Sequence, residues 1–182
     1  MSKKKIAVLV GSLRKDSFNK KIAEKLIALA PDSLEMKIVE IGHLPHYDQD
    51  SDENSPQEYT DFRKEISDAE GYLFVTPEYN RSIPGVLKNA IDIASRPWGQ
   101  NVWAGKPGAI ATTSIGAIGG FGANHILRQS LAFLNIYTMQ QPEAYIGDAF
   151  SIFDENGNLI NQDTESFLQN YINAFAEWAN KF

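Results

Sequence analysis

Apolar residues along the chain follow two alternating patterns, short continuous runs and spacings of three and four. Runs rich in β-branched and aromatic residues predict strands buried on both faces, at residues 5–10, 35–41, 71–76, 107–114 and 136–139. The spacings of three and four predict helices at residues 18–30, 57–69, 83–94, 120–134 and 163–181. A small hairpin is also predicted, with residues 151–153 pairing with residues 158–160 around a turn at Asn156 and Gly157.

The alternation of strands and helices predicts an α/β fold. Strand–helix–strand units are right-handed and produce a parallel sheet with helices on both faces. A chain of 182 residues has the length of one domain, and we expect a single domain over residues 1–182. Ligands of such sheets bind beyond the carboxyl ends of the strands, where the strand order reverses. The loops after the first, third and fourth strands are therefore the candidate site.

Composition excludes several classes of function. The formal net charge of −6 argues against a nucleic-acid-binding protein, because contact with a phosphate backbone needs a basic surface. The absence of cysteine excludes disulfides and thiolate metal sites and favours a cytoplasmic protein. The apolar runs are far shorter than the roughly 20 residues that a membrane-spanning helix needs, so we expect no membrane segment.

The loop after the first strand reads GSLRKDSFNK, residues 11–20, and has the character of a phosphate-binding turn. The start of a helix offers free backbone N–H groups, Ser12, Ser17 and Asn19 add short polar groups, and Arg14 adds a guanidinium. The glycine spacing of dinucleotide-binding loops and the Lys-Ser/Thr of NTPase loops are both missing. A single monophosphate is therefore the expected ligand. The alternative is an ordinary strand–helix connection with Ser17 as its N-cap.

The loop after the third strand, TPEYNRSIPG at residues 76–85, is more polar and aromatic than a connection requires. Prolines at both ends stiffen it, so its backbone N–H groups can be presented in a fixed array. Tyr79 offers a flat face, and Asn80 and Arg81 can reach heteroatoms or negative charge. The alternative is a rigid surface loop in which Glu78 and Arg81 are merely solvated.

The loop after the fourth strand reads TSIGAIGGFGA, residues 113–123, and has glycines at positions 116, 119, 120 and 122. Glycine permits close approach of the backbone to a flat ligand. The alternative is a tight turn in which the glycines serve only helix packing.

The segments GSLRKDSFN, TPEYNRSIPGVLKNAIDIASRP and TSIGAIGG, in this order and spacing, resemble the NADPH-dependent FMN reductase family, especially its bacterial quinone and chromate reductases and related azoreductases. The resemblance is strong over about residues 5–135. It implies a flavodoxin-like three-layer sandwich, with a five-stranded parallel sheet in the order 2-1-3-4-5. It also implies tightly bound, non-covalent FMN as cofactor and NADPH or NADH as reductant.

The same resemblance assigns the cofactor-binding residues. It implies that the FMN phosphate is held by Ser12, Arg14, Ser17, Phe18 and Asn19. It implies contacts to the isoalloxazine, mainly from the main chain, by Pro77, Glu78, Tyr79, Asn80 and Arg81. The other end of the ring would be flanked by Ser114, Gly116 and Gly119. No metal and no catalytic side chain are expected, because the redox chemistry belongs to the flavin.

The implied function is ping-pong hydride transfer from NAD(P)H through FMN to quinones or similar acceptors, such as azo compounds, chromate or free flavin. The resemblance also implies a homodimer or homotetramer with the flavin near a subunit interface. A flavodoxin-type electron carrier is the alternative, although the arginine at position 14 is unlike the Thr/Ser-rich phosphate loops of flavodoxins. A third hypothesis is a flavin-free α/β module, and the absence of a nucleophile elbow argues against a hydrolase.

Histidine and tryptophan residues leave further alternatives open. His43 and His46 lie in a predicted loop, where solvation is a better expectation than metal binding. His125 is expected to pack or cap rather than to catalyse. Trp98 and Trp103 are candidates for an aromatic wall over the flavin, for a subunit contact or for ordinary core packing.

Overall fold

A parallel β-sheet organises the computed structural model, which describes residues 3–182. The strands are β1 (Lys4–Val10), β2 (Leu34–Val39), β3 (Gly71–Thr76), β4 (Pro107–Thr113), β5 (Tyr137–Thr138) and β6 (Ala144–Ile146). The α-helices are α1 (Phe18–Ala28), α2 (Gln57–Asp68), α3 (Gly85–Ala94), α4 (Phe121–Phe133), α5 (Ala149–Ile152) and α6 (Gln162–Ala179). A short 3₁₀ helix spans Gln49–Ser51.

The strand order is β2-β1-β3-β4-β5, which confirms the flavodoxin-like order that the resemblance implied. In addition to the five predicted strands the sheet has a sixth, β6, which pairs with β4. β5 pairs with the start of β4, at Pro107 and Gly108, and β6 pairs with its end, at residues 111–113. Two short strands therefore lie end to end along one neighbour. A three-residue strand is too short to show a hydrophobic period, so the sequence did not indicate it.

Helices cover both faces of the sheet, as the sequence predicted. Successive side chains of a strand point to opposite faces, so Val8 and Leu9 of β1 enter different cores. Val8 packs in the core formed with α1 and α6, and Leu9 packs in the core formed with α2, α3 and α4. The result is a three-layer sandwich. No helix within residues 3–182 is both long enough and apolar enough to cross a membrane.

The two tryptophans have different environments. Trp103 is fully buried, its ring lies 4.9 Å from that of Tyr72 between centroids, and its indole N–H donates to the Ile91 carbonyl at 3.0 Å. Ordinary core packing is therefore the correct alternative for Trp103. Trp98 is 80% exposed, which leaves it free to contact a partner.

The predicted hairpin at residues 151–160 is wrong in its first arm. Residues 149–152 form the short helix α5, because Ala149 and Ile152 bury their side chains against the core. A single bridge, between Phe153 and Leu159, remains of the expected pairing. The predicted turn is present, with Gly157 at a φ of 84°.

Candidate functional site

The carboxyl ends of β1, β3 and β4 meet at one edge of the sheet. Val10 at the end of β1 is opposite Val75, and Thr76 at the end of β3 is opposite Thr112. The strand order reverses between β1 and β3, which is where sheets of this kind bind ligands. Three connections surround this point, and we call them loop one (residues 11–17), loop two (residues 77–84) and loop three (residues 114–120).

Loop one and the start of α1 present a row of free hydrogen-bond donors. Among residues 3–182, no group accepts a hydrogen bond from the backbone N–H groups of residues 12–16, Phe18 or Asn19. Ser17 is buried and is the N-cap of α1, and its hydroxyl accepts from the N–H of Lys20 at 3.2 Å. Ser17 is therefore the N-cap of α1, as one of the two interpretations of the sequence expected. The free N–H groups beside Ser17 can also bind an anion.

Two contacts fix loop one against the neighbouring strands. The N–H of Gly11 donates to the Val75 carbonyl at 2.9 Å, and a β-carbon at Gly11 would lie 2.2 Å from Oγ1 of Thr76. The Asn19 amide donates to the Thr113 carbonyl at 3.4 Å, while its Oδ1 is buried without a partner among the described residues. The loop therefore has a fixed position relative to β3 and β4.

The remaining predicted phosphate-loop residues differ in exposure. Ser12 is half-buried, whereas the side chain of Arg14 is exposed, with its guanidinium 5.9 Å from the centre of the Phe18 ring. Phe18 packs edge-to-face on Phe150 at 5.2 Å and stacks on Phe153 at 5.7 Å. Phe18 thus anchors loop one to the segment that contains α5.

Loop two contains a tight hairpin turn. Tyr79 and Ser82 exchange two backbone hydrogen bonds of 2.9 Å each. Between them, Asn80 and Arg81 have φ values of 51° and 64°, which is the left-handed pair of a type I′ turn. The N–H groups of Glu78, Asn80 and Arg81 find no acceptor within the described chain. The turn therefore presents donors and the half-exposed ring of Tyr79 towards solvent.

Glu78 connects loop two to loop three and α4. Its side chain is only 13% exposed, it accepts from the N–H of Ala123 at 3.2 Å, and it pairs with Arg81 at 3.2 Å. α4 has Gly120 at its N-cap and no side-chain cap of its own. The carboxylate of Glu78 therefore satisfies an N–H group of the first turn and lies at the positive end of the helix dipole. The sequence did not show this role, because the two residues are 45 positions apart.

Loop three packs against β6. A β-carbon at Gly119, whose φ is 64°, would lie 2.5 Å from the Tyr145 carbonyl carbon. Ser114 donates its N–H to the Ile146 carbonyl at 3.0 Å, and its hydroxyl contacts the backbone of Gly116. The loop presents two side chains to solvent, with exposed fractions of 61% for Ile115 and 64% for Ile118.

An aromatic cluster beside loop three was not predicted as a unit. The ring centres of Phe121 and His125 are 4.2 Å apart, and Nε2 of His125 lies 3.1 Å from the Tyr145 hydroxyl. Burial, with a smaller contribution from Glu143, raises the pKa of Tyr145 to about 12. The phenol therefore keeps its proton at neutral pH. His125 packs in this cluster, as the sequence suggested.

The donors at this edge suit FMN. A terminal phosphate needs several N–H donors and a cation, and loop one supplies free N–H groups and Arg14. A flat ring with polar heteroatoms needs donors beside apolar side chains, and loops two and three supply both. A cavity of about 440 Å³ lies elsewhere, between the first half of β1, β2 and α2. That cavity is remote from the three loops.

Comparison with known proteins agrees with these features. A model of the NADPH-dependent FMN reductase family matches residues 4–151. A quinone reductase of Pseudomonas putida is 58% identical over 174 residues, or 95% of this chain and 93% of the relative. A 2-hydroxy-1,4-benzoquinone reductase of a Burkholderia species is 55% identical over 96% of this chain and 95% of the relative. FerB, a flavoenzyme NAD(P)H:(acceptor) oxidoreductase from Paracoccus denitrificans, has a solved structure that covers 98% of each chain with a TM-score of 0.91 and 43% identity.

The family model spans most of the chain, and the relatives match it over nearly its whole length. The segments that carry the sequence resemblance are those that form loops one, two and three. The chain belongs to the NADPH-dependent FMN reductase family.

Proposed function

We propose that this chain is an FMN-dependent NAD(P)H oxidoreductase that reduces quinones by a ping-pong mechanism. The observation that carries the proposal is the row of free backbone N–H groups in residues 12–16, Phe18 and Asn19, placed where the strand order reverses. Family membership supports FMN as the cofactor and NAD(P)H as the reductant. The names of the relatives support a quinone as the acceptor.

FMN, when bound, accepts a hydride from one substrate and passes reducing equivalents to the next. The net reaction consumes NAD(P)H, a proton and a quinone, and it yields NAD(P)⁺ and a hydroquinone. The proton is supplied by water. No side chain of this chain is therefore required as a general acid.

The chain's own contribution is binding and orientation. We assign the phosphate to the N–H groups of loop one, with Ser12, Arg14, Ser17, Phe18 and Asn19. We assign the isoalloxazine to the segment 77–81, whose free N–H groups can donate to the ring where negative charge grows on reduction. Ser114, Gly116 and Gly119 hold loop three at the other end of the ring. Glu78 acts by fixing loop two and α4 together.

A flavodoxin-type carrier would share the fold but would turn over no nicotinamide. Flavodoxin-type phosphate loops are rich in Thr and Ser, whereas loop one carries Arg14, and the relatives at 55–58% identity are named as reductases. These observations favour the reductase. Reduction of the bound flavin by a nicotinamide distinguishes the two functions directly.

We also propose that the protein is a single cytoplasmic domain that assembles as a homodimer or homotetramer, with the flavin near a subunit interface. Large apolar side chains are exposed around the site, and a second copy would cover them. They are Leu13, Tyr79, Ile115, Ile118 and Phe121. The absence of cysteine is consistent with a reducing compartment. Light scattering during size exclusion measures the number of subunits, and a monomeric holoprotein would contradict the assembly.

The test of the function uses the FMN-loaded protein in anaerobic stopped-flow absorbance. We expect NADPH or NADH to bleach the yellow flavin spectrum and a benzoquinone to restore it. A flavin spectrum that neither nicotinamide changes would support the carrier. A protein that ignores added FMN would exclude both functions.

A further inference from the structure

The residues that follow β2 contact two parts of the candidate site. Residues 40–52, which we call the β2 segment, form hydrogen bonds with α3, and α3 begins directly after loop two. The same segment packs against loop one. The structure therefore contains a continuous set of contacts through which α3 can fix the position of loop one.

Asn89 of α3 holds the β2 segment with both ends of its side-chain amide. Its Oδ1 accepts from the N–H of Tyr47 at 2.7 Å, and its Nδ2 donates to the Pro45 carbonyl at 2.9 Å. A longer contact of 3.5 Å joins Nδ2 to the Leu44 carbonyl. An amide that uses its donor and its acceptor on one stretch of backbone fixes both the position and the direction of that stretch. Asn89 is the fifth residue of α3 and so lies about one helical turn after loop two.

A second group of contacts holds the β2 segment just after the end of α3. The Tyr47 hydroxyl accepts from Nε of Arg96 at 2.8 Å and donates to Asp52 at 3.1 Å. Arg96 and Asp52 also form an ion pair at 3.2 Å, with side chains that are only 20% and 16% exposed. The β2 segment is therefore held against α3 at two places, and Tyr47 takes part in both.

The β2 segment contacts loop one at Leu13. A β-carbon at Gly42 would lie 2.7 Å from Cδ2 of Leu13, so the leucine side chain packs directly on the backbone of Gly42. Gly11 and Asn19 fix the residues on either side of Leu13 by hydrogen bonds to β3 and β4. Leu13 itself lies among residues 12–16, whose N–H groups find no acceptor within residues 3–182. The β2 segment therefore supports the part of loop one that carries these free donors.

We propose that Asn89 is a positioning residue for the FMN phosphate and acts on loop one through the β2 segment and Leu13. The inference rests on the proposed function, because it concerns the phosphate assigned to loop one. Asn89 holds the β2 segment, Gly42 of that segment supports Leu13, and Leu13 keeps the N–H groups of residues 12–16 in one arrangement. Without the amide of Asn89, these donors must be ordered when the phosphate binds, and that ordering weakens binding.

The test compares the dissociation constants of FMN and riboflavin for the apoprotein in fluorescence titrations. Riboflavin lacks the phosphate, so the ratio of the two constants measures the contribution of loop one. We expect Asn89→Ala to reduce the preference for FMN roughly tenfold, mainly through weaker binding of FMN. A general loss of stability would weaken both ligands and leave the ratio constant.

Asn101→Ala is the matched control. Asn101 lies in the connection between α3 and β4, where it accepts from the N–H of Trp103 and donates to the Leu134 carbonyl, both at 3.0 Å. Its removal therefore breaks the same kinds of hydrogen bond as Asn89→Ala. We expect a similar loss of stability in urea denaturation and the wild-type ratio of the two flavins. An unchanged ratio in Asn89→Ala, or an equal fall in Asn101→Ala, would overturn the proposal.

Leu13→Ala tests the same contacts from the side of loop one. The Leu13 side chain is 59% exposed, so we expect this variant to fold and to lose part of its preference for FMN. In the double variant with Asn89→Ala, the preference should fall by less than the product of the two single changes, because both act through one contact. Losses that multiply would show that Asn89 acts by another route and would overturn the proposal.

Failure of the phosphate assignment has a different signature. The wild type itself would then bind FMN and riboflavin equally, and the role of Asn89 would fall with the assignment. A wild type that prefers FMN, together with an unchanged ratio in Asn89→Ala, would overturn the role of Asn89 alone. The titrations use no nicotinamide, so their outcome is independent of whether the flavin turns over, which the stopped-flow experiment decides.

Discussion

Individual atoms determine how closely the three loops of the site approach one another. Gly11 is the clearest case, because a β-carbon there would lie 2.2 Å from Oγ1 of Thr76. We predict that Gly11→Ala lowers the free energy of unfolding by about 1–3 kcal/mol, since the side chain cannot fit without moving loop one. We also expect weaker binding of FMN in a fluorescence titration.

Gly85 provides the control for this substitution. It is the first residue of α3, and a β-carbon there would meet no atom within 4 Å. Gly85→Ala should leave the free energy of unfolding unchanged or raise it, by up to about 1 kcal/mol, because alanine is the better helix former. Urea denaturation measures both variants. Equal destabilisation of the two would show that the contact with Thr76 is unimportant.

The carboxylate of Glu78 holds loop two against the start of α4, which follows loop three. We predict that Glu78→Ala lowers the free energy of unfolding by about 1–3 kcal/mol, because the N–H of Ala123 and the guanidinium of Arg81 both lose their acceptor. Binding of FMN should weaken as loop two and α4 separate. Glu58→Ala, at an exposed position in the first turn of α2, is the control and should affect neither quantity by much. Unchanged FMN affinity in Glu78→Ala would contradict the positioning role.

At the scale of secondary-structure elements, the start of α1 combines a cap with a ligand site. We predict that Ser17→Ala costs about 0.5–2 kcal/mol of stability, since the N–H of Lys20 loses its acceptor. It should also weaken FMN binding, because the N–H groups of Phe18 and Asn19 lose their fixed direction. We therefore expect a lower free energy of unfolding in urea denaturation together with a higher Kd for FMN in a flavin titration.

The start of α6 is the matched control for the start of α1. Asn161, which belongs to none of the three loops, caps α6 by accepting from the N–H of Thr164 at 2.8 Å. Asn161→Ala should reduce stability by a similar amount and leave FMN affinity constant. If both caps change FMN affinity equally, the effect of Ser17 is a general loss of stability rather than a property of the site.

Elements with strong periodicity were predictable from the sequence. β1, β3 and β4 are continuous apolar runs, because strands in the middle of a covered parallel sheet are buried on both faces. β6 and α5 were not predictable, since elements of three and four residues contain fewer than two periods of either pattern. Short elements are determined by tertiary contacts, such as the pairing of β6 with β4.

The candidate site was predictable in location and less so in detail. Parallel topology places the loops after β1, β3 and β4 at one edge, so the sequence alone indicated the three segments. The type I′ turn at Asn80 and Arg81 was not indicated, because such turns usually contain glycine. The contact of Glu78 with α4 depends on packing between residues that are 45 positions apart in the chain. No spacing along the sequence shows such contacts.

At the scale of the whole molecule, a locally basic loop lies on a protein with a negative net charge. The chain has an excess of acidic residues, yet the neighbourhood of loop one is basic through Arg14, Lys15 and Lys20. An anionic dinucleotide is therefore repelled by most of the surface and attracted to the edge where the flavin is proposed to bind. We predict that kcat/KM for NADPH falls as ionic strength rises, because salt screens charges on exposed side chains. Lys15→Gln should flatten that dependence in steady-state assays, whereas Lys181→Gln should reproduce the wild-type slope.

Binding of FMN should stabilise the whole molecule, because the site is assembled from three strands rather than from one segment. A ligand that binds only the folded state adds about 2.7 kcal/mol when its free concentration is 100 times Kd. We predict that the melting temperature of the apoprotein rises continuously with FMN concentration in differential scanning calorimetry. Riboflavin, which lacks the phosphate, should stabilise much less, because the free N–H groups of loop one then have no acceptor. Equal stabilisation by FMN and riboflavin would show that loop one does not hold a phosphate.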